Sequence, residues 1–353
     1  MKPRHVLILF SITLLFSVNV VLFAQSAPAA APVAPAAPPA VENGMTSEIK
    51  SYCEKLEKSF KKYGWDKSEC ADFKWSHYRN SVLGNPLMWT VFGDVSDENK
   101  ESFKDKDVTI IMCGVHGDEI TPVKFCFDIM YYLRTAYADP ERAKDFHNKV
   151  VLVSPLVNPD SYFKAKPSRM NARGIDPNRN FPTKDWQIEA RKMWLTKFKR
   201  DKRRNPGERP NSEPEVVFQV NLIKRFNPDK IVSVHSPLTL LDYDGPQHSA
   251  TNGLDGGKAQ ELLIQMSKDA AGYNIKDYPF FPGSLGNWAG QERNIPTYTL
   301  ELPSSDPRKS VEYWNLFREA MHKLVVHNLR QDVAKAPETF KNEPADNPGL
   351  VPN

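Results

Sequence analysis

Val108-Thr-Ile-Ile-Met-Cys-Gly-Val-His-Gly-Asp-Glu119 is the stretch whose reading decides the fold. Its first six residues form an apolar run ended by Gly114, the pattern of a strand buried on both faces. Apolar positions then recur at helical spacing from Glu119 to Ala136, through Ile120, Val123, Phe127, Met130 and Leu133. The alternation continues along the chain. Val150–Val153, Ile231–Val234 and Thr297–Leu300 read as further buried strands, and 213–226, 254–272 and 311–329 as helices. Continuous apolar strands separated by helices predict an α/β fold with a mixed, centrally parallel twisted sheet and helices on both faces.

In such sheets ligands bind beyond the carboxyl ends of the strands. The polar residues that follow these strands are His116, Asn158, His235 and Glu301. His116 and Glu119 stand three residues apart at a strand end entering a helix, close enough to share one ion. H-x-x-E alone is a weak signal. His235, at the end of another strand, supplies the third ligand, and two His with one Glu leave a fourth position for water, as in catalytic zinc sites. Glu301 would face the same crevice as a general base. The expected cofactor is therefore one Zn2+ ion.

On these residues the sequence resembles the carboxypeptidase A-like zinc peptidases, and among them the murein peptide amidases, which cut between γ-D-glutamate and meso-diaminopimelate. The resemblance rests on collinear stretches: Gly114–Glu119, Val157-Asn-Pro-Asp160, Arg169–Pro182 with its Asp-Pro-Asn-Arg-Asn-Phe run, Ser212-Glu-Pro-Glu215, Val234–Leu238, Pro282–Trp288 and Thr299–Pro303. It implies that Arg169 holds the oxyanion, that Asn178 and Arg179 grip a free substrate carboxylate, and that a mobile tyrosine closes over the substrate; Tyr278 lies in that region beside Phe280 and Phe281, and as that tyrosine it would cap the leaving group. Arginine suits carboxylate recognition because its planar fork donates two parallel hydrogen bonds. Pro177 stands where the family usually has Leu or Ala, which puts the loop presenting Asn178 in question. Asp242 and Asp244, just beyond the third ligand, would meet a substrate ammonium or cap a turn.

The chain has 353 residues with 47 basic and 43 acidic side chains, a net charge of +4 that does not point to nucleic acid. Residues 1–27, with a basic start, an apolar run and small residues at its end, read as a signal peptide or N-terminal anchor. Residues 28–45 read as an Ala/Pro-rich linker, 46–78 as a small helical segment, 79–333 as the catalytic domain and 334–353 as a disordered tail. Cys53 and Cys70 are expected to form a disulfide in an oxidising compartment, whereas Cys113 and Cys126 read as buried, inert thiols. The basic run from Lys197 to Arg209 reads as a solvated loop. Five histidines (His77, His147, His248, His322 and His327) lack ligand spacing.

The expected function is hydrolysis of peptidoglycan stem peptides by an exported enzyme, periplasmic or secreted. Contact with a membrane is expected only through the leader, and no obligate protein partner is implied. Competing readings are an L,D-carboxypeptidase removing terminal D-Ala, a general metallocarboxypeptidase, and a non-catalytic wall-binding module.

Overall fold

The computed structural model describes residues 41–42, 45–93, 103, 105–246 and 256–330. The leader, the C-terminal tail, most of the Ala/Pro tract and His248 lie outside the described residues. Among the described residues no helix is long and apolar enough to cross a membrane.

Seven strands form the main sheet: β1 (Ser76–Asn80), β2 (Pro86–Phe92), β3 (Asp107–Cys113), β4 (Lys149–Ser154), β5 (Lys230–His235), β6 (Leu240–Gly245) and β7 (Thr297–Glu301). Their spatial order is β1-β2-β4-β3-β5-β7-β6. The four central strands β4, β3, β5 and β7 run parallel, and antiparallel partners flank them on both sides. The mixed, centrally parallel sheet is thus the one expected. Strands β1, β2 and β6 add to it.

Alternation along the central strands divides the core. Ile111, Cys113, Val151, Val153, Val232 and Val234 join one apolar cluster, whereas Ile110, Met112, Val150, Leu152 and Ile231 join another on the opposite face. The helices α2 (Ile120–Ala138), α4 (Gly256–Asp269) and α5 (Ser310–Val326) cover the first, and α3 (Pro214–Phe226) covers the second.

The N-terminal helix α1 (Ser47–Tyr63) adds Ile49, Tyr52, Leu56 and Phe60 to the first cluster, an apolar stripe at helical spacing. The Thr46 hydroxyl accepts the Ile49 N–H at 3.3 Å to start this helix, and Gly64 ends it in the left-handed region at φ 74°. Cys53 and Cys70 form a disulfide, as expected.

Cys113 and Cys126 are also joined, which corrects the free-thiol reading. The chain turns back after β3, so the strand's last residue faces the second turn of α2 with 6.2 Å between the Cα atoms, a span a disulfide bridges. No cysteine remains free.

Candidate metal centre and its crevice

The parallel register places His235 directly beside Glu301, at the ends of β5 and β7. Strand β3 lies on the other side of β5, and its continuation carries His116 and Glu119 to the same edge. Ligand atoms of His116, Glu119 and His235 all lie within 4.8 Å of one another, and the three residues are buried. The Glu119 carboxylate sits between the imidazoles, with Oε1 2.7 Å from His116 Nδ1 and Oε2 2.8 Å from His235 Nδ1. Burial works against its charge, yet His116 and His235 hold its carboxyl well below the usual carboxylate range.

The outer imidazole nitrogens are also held. His116 Nε2 lies 3.1 Å from Asp176 Oδ1, and His235 Nε2 lies 2.8 Å from Ser233 Oγ. These contacts turn both Nδ1 atoms toward the shared centre, the orientation that metal-binding histidines take when an acceptor fixes the far nitrogen. Two nitrogens and a carboxylate converging on one point fit a zinc ion with an open position.

Asp176 and Ser233 carry no role in the sequence reading. Their signals were present: Ser233 lies two residues before His235 and therefore on the same strand face. Asp176 opens the Asp-Pro-Asn-Arg run, where it also accepts the Asn178 N–H at 2.9 Å and starts the turn Pro177–Arg179. With Pro177 at its first position, that turn delivers Asn178 and Arg179 to the crevice.

Arg169 reaches the same centre. Its Nε donates to Asp176 Oδ2 at 2.9 Å, and its Nη1 lies 3.2 Å from His116 Nδ1 and 3.4 Å from Glu119 Oε1. Glu301 lines the crevice; its Oε2 accepts the Leu238 N–H at 3.3 Å, and burial raises its carboxyl above the usual range. Asn158 is fully buried and bonds to the Val115 and Arg169 carbonyls, a scaffold position rather than a wall of the crevice.

Arg179 differs from Arg169. Its Nη1 donates to the Asn178 carbonyl, its plane lies 4.3 Å from the Phe281 ring centre, and its Nε has no partner. Burial depresses its pKa to about 10; Arg169 and Arg204 add to burial, and Asp176 opposes them. No carboxylate among the described residues pairs with it. Gly283 makes its position possible, since a Cβ there would lie 2.1 Å from the Arg179 carbonyl oxygen and the backbone φ is +77°. The Asn178 Oδ1 accepts the Leu285 N–H at 2.8 Å.

Tyr278 stands at the rim, 40% exposed, with its ring 6.1 Å from Phe281. The basic run is more than a solvated loop, because Arg203 and Arg204 line the crevice mouth. Arg203 donates to Asp118 Oδ2 at 2.6 Å, and Arg204 stacks on Phe198 at 4.4 Å. The crevice encloses about 300 Å³, room for a peptide residue.

Comparison with known proteins agrees with this geometry. Murein peptide amidase A of Escherichia coli (strain K12) is 34% identical over 234 residues, covering 65% of this chain and 82% of the relative. Its namesake in Vibrio campbellii (strain ATCC BAA-1116) is 29% identical over 237 residues, covering 67% and 82%. The crystal structure of thrombin activatable fibrinolysis inhibitor shares the fold, with a TM-score of 0.56 at 19% identity over 79% of this chain and 73% of that one. The zinc carboxypeptidase family model (peptidase M14) matches residues 73–315. The chain belongs to that family and is a zinc metallopeptidase.

Proposed function

We propose that this protein hydrolyses murein stem peptides at the γ-D-glutamyl–meso-diaminopimelate amide, outside the cytoplasm. The observation that carries a carboxylate-reading peptidase is the unpaired Arg179 in one crevice with Glu301 and the His116, Glu119 and His235 cluster. The murein substrate is supported by the names of the relatives. Export is supported by the leader sequence and by two disulfides, which persist in oxidising compartments.

His116, Glu119 and His235 would hold the zinc. When bound, zinc acidifies water and polarises a carbonyl. Glu301 takes the proton from the attacking water and passes it to the leaving nitrogen, so one carboxylate serves as base and then as acid. Arg169 aims its guanidinium at the oxygen that gains negative charge as the carbonyl becomes tetrahedral. Asp176 holds both Arg169 and His116, coupling the position of that cation to the metal cluster. Asn178 and Arg179 hold the carboxylate of the leaving residue, and Tyr278 closes over it from the rim.

The test is chelator-reversible hydrolysis of the murein tripeptide together with zinc content. About one zinc per chain, with cleavage lost on chelation and restored by zinc, is the expected result. A zinc-loaded protein that binds the tripeptide without cutting it would make this a wall-binding module.

A further inference from the structure

Two residues of the metal cluster sit inside one closed ring of chain. Cys113, the last residue of β3, is bonded to Cys126 in the second turn of α2, and the residues between them include His116 and Glu119. The Cys53–Cys70 bond closes a ring of similar size, with a separation of 17 residues against 13, and encloses no residue of the crevice.

The two sides of the first ring are held differently. Its strand side is fixed by neighbouring backbone, since the Cys113 and Gly114 carbonyls accept the Val157 and Asn158 N–H groups at 3.0 and 2.9 Å. On the helix side, Glu119 occupies the N-cap position of α2, where a side-chain oxygen ordinarily accepts an N–H of the first turn. Its carboxylate is instead turned to His116 and His235 and caps nothing. The group that would anchor the helix end is thus taken up by the metal cluster. One side-chain tie remains there, the Thr121 hydroxyl, which donates to the Ser304 carbonyl at 2.6 Å.

The disulfide acts on the face of α2 that carries Glu119. Val123 and Cys126 follow Glu119 by four and seven residues and so share its side of the helix. Cys126 lies about 10 Å along the axis from Glu119. Between them Val123 packs against the space at Gly114, where a Cβ would lie 3.1 Å from Val123 Cγ2 and 2.7 Å from Leu156 Cδ1. Cys113, Val123 and Cys126 are all wholly buried. The bond therefore pins α2 from inside the core, next to its uncapped start.

We propose that Cys113 and Cys126 are positioning residues of the zinc site: their bond holds His116 and Glu119 at the separation the ion needs, and the chain binds zinc tightly only once it has formed. The proposal rests on the reading of His116, Glu119 and His235 as zinc ligands. Without the bond, the start of α2 moves off β3 more often, and the binding-competent arrangement becomes a smaller fraction of the zinc-free protein. The apparent dissociation constant for zinc rises by the inverse of that fraction. A chain whose cysteines are still reduced holds zinc weakly, so peptidase activity follows oxidation of the chain.

The test compares the full chain with two double variants, Cys113→Ala/Cys126→Ala and Cys53→Ala/Cys70→Ala. Chelator competition gives the zinc Kd, and a thermal melt of each zinc-free form gives its stability. The first pair should raise Kd about tenfold or more. The second should lower the zinc-free Tm comparably, because the rings are of similar size, yet leave Kd within about twofold. Cys113→Ala/Cys126→Val restores buried volume without the bond and should behave as the first pair does. A Kd that the first pair leaves unchanged, or that both pairs raise equally, overturns the proposal. A full chain that binds no zinc with both bonds intact would sink the metal reading itself. Reciprocity gives a second measurement on the unsubstituted chain. In a glutathione buffer, two glutathione thiols reduce one protein disulfide to two cysteines and leave one glutathione disulfide. Buffered free zinc should shift Cys113–Cys126 toward the bonded form and leave Cys53–Cys70 where it was, read by thiol trapping and peptide mass spectrometry. No shift at Cys113–Cys126 overturns the proposal even where the variants fail to fold.

Discussion

The two halves of the crevice treat charge in opposite ways. At the metal half, Glu119 lies between His116 and His235, and Asp176 holds His116 and Arg169, so each of the ligands and the oxyanion arginine has a counter-charge within hydrogen-bond reach, and Glu301 alone stands apart, held by the Leu238 N–H. At the far half, Arg179, Asp242 and Asp244 have no ionic partner among the described residues. The first half is complete without substrate and is built to hold an ion in one geometry. The second is left unsatisfied, so the substrate's own charges complete it. Preorganisation serves the chemistry, and unpaired charge serves the choice of substrate.

Substitutions should separate these halves by the kind of effect as well as its size. The largest expected loss is Glu301→Gln, about 10³-fold or more in kcat with zinc retained, because the proton acceptor disappears while the ligands stay. Zinc content and single-turnover rates measure it; residual activity within tenfold would remove Glu301 from the role of base.

Arg179→Met comes next, with kcat/KM falling about 30- to 100-fold, mainly through KM, since it removes a charged hydrogen bond made in the ground state as well. A drop confined to kcat would place Arg179 in the metal half instead. Asp176→Asn should weaken zinc binding about tenfold or more, read by chelator competition rather than activity, since its work is to orient His116. Unaltered zinc affinity would mean that His116 is positioned without it.

The pH dependence gives a smaller effect with a definite sign. Both aspartates have raised pKa values, about 7 for Asp242 and about 6 for Asp244, so their charged forms appear only as pH rises through that window. Asp277 presses both upward and His235 pulls Asp244 down, while Asp244 raises Asp242. The kcat/KM for L-Ala-γ-D-Glu-lysine over that for its norleucine counterpart, which lacks only the terminal ammonium, reports the free enzyme and should therefore climb between pH 5 and 8. A flat ratio across that range would separate selectivity from these carboxylates. By linkage, a carboxyl whose folded pKa lies above its unfolded value destabilises the fold above that range. Asp242→Asn should then raise Tm at pH 8 more than at pH 5, by about 2 °C. An equal shift at both pH values would mean that its charge carries no such cost.

Much of this arrangement was legible in the sequence, for physical reasons that particular residues show. Central strands such as Val150–Val153 and Ile231–Val234 are buried on both faces and leave continuous apolar runs, so the residues that follow them stand out. Flanking strand β6 is one-sided: Leu241 and Tyr243 face the core, whereas Asp242 turns to the crevice and Asp244 sits in the bulge beside it. A short polar stretch of that kind reads equally as a contact for a substrate ammonium or as a turn cap, and spacing alone leaves both open. The Cys113–Cys126 bond was missed because helical spacing describes α2 alone and not how closely it returns along β3. Arg203 and Arg204 looked like solvated charge because only the fold brings Asp118 and Phe198 beneath them.

The central claim, a zinc enzyme that opens the γ-D-glutamyl amide of the murein stem, is tested most directly by mass spectrometry of one digest. The purified zinc-loaded protein is incubated with L-Ala-γ-D-Glu-meso-diaminopimelyl-D-Ala and with the tripeptide lacking D-Ala, with and without chelator. The account predicts zinc-dependent release of L-Ala-D-Glu from the tripeptide, with free diaminopimelate as the other product. Loss of a single alanine from the tetrapeptide, with the tripeptide left intact, would contradict it and make the enzyme a carboxypeptidase.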